Sequence, residues 1–225
     1  MTGICTCIGI LLSNNIKHPV WVPGAPLTSA TVVPLADLLS LPPPPMRERL
    51  KLAVKLASSV LQFHTSGWLQ ERWDKKDIFL VQQDSSQPSL DTPVIHHNFT
   101  LEPSPEAPTE PSIFFYNLSL FSLGVVLIEL WFWEHVESFQ ANIPQLQDPD
   151  TAIFTTALRL VDTLNEAAGA KYSGSVRRCI RGLDHAEPRL ENKEFKNKVY
   201  FKVLQPLEDH LKEFCNKSLE EIFEE

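Results

Sequence analysis

Basic residues are in short supply in this 225-residue chain, where 20 Lys and Arg stand against 28 Asp and Glu for a formal net charge of −8. A protein that grips a phosphate backbone needs a cationic stripe to release counterions, so the charge argues against nucleic acid as a partner. The only dense basic run, VRRCIR from Val176 to Arg181, spreads its arginines over neighbouring helix faces and reads as a solvated surface. Cysteine is sparse too. Cys5 and Cys7 lack the two-residue gap of zinc and redox pairs, and Cys179 and Cys215 stand alone, so a metal site or disulfide framework is not expected. A reducing, cytoplasmic setting fits such usage. Long apolar runs are also missing: Leu118–Trp133 falls short of the ~20 residues of a bilayer span and contains Glu129. Ile4–Leu12 has no Lys or Arg ahead of it, unlike a signal peptide. Among the 8 glycines no Gly-x-Gly occurs, which removes a glycine loop over nucleotide phosphates. Neither a Gly-x-Ser-x-Gly elbow nor a His-Glu-x-x-His pair is present.

Proline, at 18 residues, is what the chain has in excess. PPPP at Pro42–Pro45 reads as a stiff link, and the segment from Gln82 to Ser112, acidic and without Lys or Arg, as a long functional loop. Ahead of the link, short β-branched runs broken by Pro and Gly suggest strands and turns, and PLADLLSL a helical turn or two. Behind it, Leu50, Val54, Ala57 and Leu61 recur at helical spacing and predict an amphipathic helix over Met46–Ser66. Asp77–Val81 reads as a strand with a hairpin partner in Pro93–Leu101. Asn117–Val136 is apolar on nearly every face, as a central helix must be. Further helices follow, one stopped by Gly169, one ending near Gly182, and a last region that Pro206 is expected to break in two. The fold class expected is mainly α with a small β component, divided into a reduced N-terminal strand region (1–45), a helical lobe (46–215) and an acidic tail (216–225) that is solvated or frayed.

This element order is that of the C-terminal lobe of protein kinases, and specific residues strengthen the resemblance. LQFHTSGWL, with His64, is similar to the run entering the kinase catalytic loop; FSLGVVLIEL, Phe121–Leu130, resembles the kinase core helix; CIRGLDHAEPR, Cys179–Arg189, resembles a late kinase motif with a spacing two residues longer. Together with KYSGSVRRCI and FKNKVYFKVLQPLEDHL, these runs resemble a fungal family of uncharacterised proteins, a domain of unknown function with kinase-like architecture, over roughly Val32–Phe214. Its members carry more sequence ahead of this region. The chain therefore reads as a shortened version, with apolar surface expected near Ile8–Leu12.

What the resemblance implies about chemistry is mostly loss. Laid on the kinase catalytic loop, GWLQERWDKKDIFL puts Gln70, Glu71 and Arg72 on His-Arg-Asp and Asp77 on the metal-binding asparagine. A guanidinium at position 72 cannot accept the substrate proton. No Asp-Phe-Gly lies between Val81 and Asn117, Ser119 replaces the aspartate that braces the loop, and the stretch ahead of Met46 is too short for a five-stranded N-terminal lobe. Glu71, Asp74 and Asp77 are interleaved with Arg72, Lys75 and Lys76, which suggests a solvated mixed-charge loop. His96 and His97 face opposite ways on a strand and cannot readily share a metal. Trp68 and Trp73 are expected to plug the loop against the core, and Trp131 and Trp133 to cap the central helix, or, if exposed, to form an interaction surface. Glu110 and Arg189 resemble a kinase ion pair tying the long loop to the C-terminal helices. The expectation is thus a catalytically degenerate, pseudokinase-like module with no catalytic residue, cofactor or metal, which binds a protein partner. The alternative is an atypical phosphotransferase whose metal site is rebuilt from Asp77, Glu71 or Asp74.

Overall fold

The computed structural model describes residues 5–13, 16–23, 31–64, 69, 71–82, 89–91, 93–95, 117–142 and 148–224, with the side chains of 5–23, 141 and 142 outside the description. The molecule is mainly helical with little sheet. β1 (Cys5–Ser13) and β2 (Ile16–Pro23) form an antiparallel pair. The side chains of Ile8–Leu12, where apolar surface is expected, are not among those described. A second antiparallel sheet has the order β3 (Thr31–Pro34), β4 (Ile78–Gln82), β5 (Pro93–Ile95), with Val33 opposite Leu80 and Ile78 opposite Ile95. The expected hairpin is therefore present, with its second strand described over Pro93–Ile95.

α1 (Leu35–Leu38) is a single turn, and Pro42–Pro45 then carries the chain without regular structure to α2 (Met46–Phe63). Leu50, Val54, Ala57 and Leu61 are all buried on α2, as their spacing requires. α3 (Leu118–Phe132) starts at Asn117, whose side-chain oxygen accepts from the Leu120 N–H at 3.0 Å, and ends at Trp133 in the left-handed conformation. It lies between α2 and α4 (Pro149–Arg181), while α6 (Gln205–Cys215) covers α2 and α4 from the other side. Gly124 makes the α3–α4 approach possible, because a methyl there would stand 2.7 Å from Ile180 Cδ1 and 2.8 Å from Cys179 Cβ. Arg49 of α2 donates to the Trp131 carbonyl at 2.7 Å, satisfying one of the acceptors a helix end leaves open.

One expectation changes on inspection, that of a frayed tail. Gly169, at φ 75° and ψ 174°, lies outside the helical range and ends a first helical stretch as expected; a second follows across the kink within α4, with the Ser173 hydroxyl donating to the Gly169 carbonyl at 2.8 Å. The last helical region does fall into two α-helices, with Pro206 in the first turn of the second. α5 (Lys193–Val199) runs through a π turn (Tyr200–Leu204) into α6, and the widened turn, with the Gln205 N–H bonded to the Tyr200 carbonyl, leaves Pro206 in the first turn of α6, where no N–H is needed. Finally, the tail is docked through Glu224. α7 (Leu219–Glu224) opens with Ser218 and Glu221 capping one another, Ile222 is fully buried, and Lys55 lies 5.3 Å from the centre of the Phe223 ring. Among the described residues no helix is long and apolar enough to cross a membrane.

Candidate functional site

The segment 71–77 lies against the start of α3. Backbone and side chain lock it there: the Ser119 hydroxyl donates to the Glu71 carbonyl at 3.0 Å, and the Trp73 N–H donates to the Ser122 hydroxyl at 3.3 Å. Trp73 is buried, so it does plug the loop against the core; Trp68 lies outside the described residues. Asp74 and Asp77 close a tight turn, with Asp77 Oδ2 accepting from the Asp74 N–H at 2.9 Å and Asp74 Oδ1 from the Lys76 N–H at 2.6 Å. Arg72 reaches across to α4, where its guanidinium makes a two-pronged pair with Asp150, one branch from Nη1 to Oδ2 at 2.9 Å. This hydrogen bond holds the guanidinium above its ordinary pKa.

The expectation of a uniformly solvated loop fails at Lys75, which is 5 % exposed. Its ammonium sits 2.5 Å from Glu129 Oε1, on α3, and 2.6 Å from Glu137 Oε2, on the 3-10 turn Val136–Asn142. Glu129 is 1 % exposed and also accepts from the Val136 N–H at 3.0 Å. Its removal from water pushes the carboxyl up to about 7, with Lys75 and the Val136 N–H pulling the other way. Burial opposes the charge on Lys75, but Glu129 and Glu137 outweigh it and hold the ammonium above its usual range. Ligand atoms of Glu129, His135 and Glu137 lie within 4.8 Å of one another, a spacing suited to a cation. Lys75 already fills that role, and His135 Nε2 meets the Ser40 hydroxyl at 3.3 Å.

Beside the triad opens a cavity of about 300 Å³, bounded by 72–77, α3, the 3-10 turn and Ile153 of α4. Phe121, Val125 and Ile153 give it an apolar wall, and the ionic groups lie along the loop and its floor. A family model described as Domain of unknown function (DUF7580) matches residues 25–214. The chain belongs to the DUF7580 family. No curated protein and no solved structure matches it.

Within this DUF7580 domain the residues singled out from sequence have separate fates. Arg72 and Asp77 line the cavity, whereas Glu71 lies on a second, larger cavity of about 480 Å³ with His64, Ser119 and Arg189. Gln70, Glu110, His96 and His97 are outside the described residues, so the Glu110–Arg189 pairing is too. Of the tryptophans of the suggested interaction surface, Trp133 is 7 % exposed and its indole N–H donates to the Leu41 carbonyl at 3.0 Å, while Trp131 is half-buried, its ring tilted by 47° at 5.1 Å from the buried Tyr172 ring. Both pack at the end of α3. The buried triad itself was not singled out. Its signal was Glu129, one carboxylate in an otherwise apolar helix, which requires a partner wherever that helix is buried.

Proposed function

We propose that this domain is a non-catalytic, kinase-like module that acts by binding another protein, in a cytoplasmic setting. The observation that carries the reading is the commitment of Arg72. It stands where the resemblance would place a proton-accepting aspartate, and its guanidinium is turned away to Asp150 in a two-pronged pair. Phosphoryl transfer requires an oriented nucleophile and metal-held phosphates, and a cation that never releases its proton supports neither. Two further features favour the same reading. Asp77 spends one oxygen closing the loop, and Lys75, which lines the cavity, is held by Glu129 and Glu137 in place of any phosphate.

Thermal unfolding with ATP and Mg²⁺ or Mn²⁺ tests it, because a ligand at one hundred times its Kd adds about 2.7 kcal/mol to stability. The expected result is no shift and no transfer of labelled phosphate to protein or peptide hydroxyls. Stabilisation followed by transfer that disappears in Asp77→Ala would replace the binding module with a phosphotransferase.

A further inference from the structure

We infer that the 300 Å³ cavity receives an arginine side chain from the partner protein, an assignment that rests on the reading of the domain as a binding module. The charges in its lining do not balance. Asp74, Asp77, Glu129 and Glu137 face Arg72 and Lys75, yet Arg72 is drawn to Asp150, and Lys75 answers only the two glutamates. Asp74 and Asp77 each use one oxygen in the loop turn, and the second oxygen of each has no hydrogen-bond or ion-pair partner among the described residues, although the charge of Asp74 is felt by Arg72. The wall opposite is apolar: Phe121, packed against Phe154 at 6.1 Å, with Val125 and Ile153. On the loop side, the buried indole N–H of Trp73, a residue 5 % exposed that also lines the cavity, has no hydrogen-bond partner among the described residues.

An aliphatic stem ending in a planar cation suits this combination. The methylenes cover the apolar wall, and the guanidinium fork reaches the two free carboxylate oxygens, close enough to the Trp73 ring for that indole to sense it. The net charge of −8 draws a basic partner to the surface. Arginine is also the charged residue that interfaces most often use as an anchor.

The Trp73 indole N–H resonance, identified by its loss in Trp73→Phe, reports on the cavity in a ¹H–¹⁵N spectrum of the whole chain. A capped Ala-Arg-Ala peptide should move it saturably with a Kd on the order of 1 mM, and the matching citrulline peptide, neutral but of the same shape, should not. In Asp74→Asn/Asp77→Asn, which keeps both turn acceptors, affinity should fall roughly tenfold or more. Absence of a saturable shift, equal binding of the citrulline peptide, or unchanged affinity in the double variant each overturns the assignment. The two readings fail separately: phosphate transfer would end the module reading, whereas a silent cavity with no nucleotide response would end only this one.

Discussion

Lys75 and Glu129 illustrate how a single buried charge governs its surroundings. Neither could stay ionised alone at 5 % and 1 % exposure, and each is tolerated because the other lies 2.5 Å away. Replacing Lys75 by Met leaves Glu129 without its cation and should cost about 3 kcal/mol at pH 8, measured by urea unfolding. Part of that cost should return at pH 5, where the stranded carboxyl takes up a proton. The wild type has its own pH signature. Because Glu129 titrates at about 7 in the folded chain and near 4.5 when exposed, its contribution is fully present below pH 4.5 and is lost as pH rises through 7. The expected loss is of order 3 kcal/mol, read as the difference between wild type and Glu129→Gln, in which the slope disappears. At this scale the sequence was only half legible. The cation at position 72 could be read from residue type, but the turn closed by Asp74 and Asp77 was not, and the burial of Lys75 could not be, because neighbouring Asp74 and Lys76 are exposed and no local pattern separates them.

The elements were more legible, and the reason is periodicity. α2 and α3 bury the residues their apolar spacing assigns, and the cap at Asn117 follows from a side chain that competes well for a free N–H. What periodicity misses is a change of helix type: the π turn before Pro206 leaves the apolar steps intact, so nothing in the pattern marks it. Close helix packing gives a paired prediction. Gly124→Ala forces a methyl against Ile180 and Cys179 and should destabilise by about 2 kcal/mol. Gly174→Ala meets only the flexible end of Arg178, at 3.1 Å, and by relieving a helical glycine should be neutral or stabilising by up to about 1 kcal/mol. Thermal denaturation of the two variants side by side checks the opposite signs.

On the scale of the whole molecule, the mainly helical class and the small antiparallel sheet could be anticipated from element order alone. The docking of the C-terminal segment could not, because acidic composition concealed the apolar side chains that anchor it, buried Ile222 and half-buried Leu219. Ile222→Ala should lower stability by about 2 kcal/mol, with faster amide exchange across 219–224. If Ile222→Ala left both quantities unchanged, α7 would be ornamental. The sheet is tied to the helices in a comparable way: Asp91, just ahead of β5, pairs with Lys51 at 2.7 Å and with Lys55 at 3.2 Å on α2, so the strand region and the helical layer share charges as well as apolar contacts.

The seating of α6 on α2 has a consequence for biosynthesis. During translation α2 leaves the ribosome long before its cover is made, and at 5–20 residues per second the wait is on the order of ten seconds. Through that interval a nascent helix presents Leu50, Val54 and Leu61 with part of their final surroundings still missing. Stalled chains ending before Gln205 should therefore be cut by protease within α2 and held by chaperones, whereas released chains should resist both.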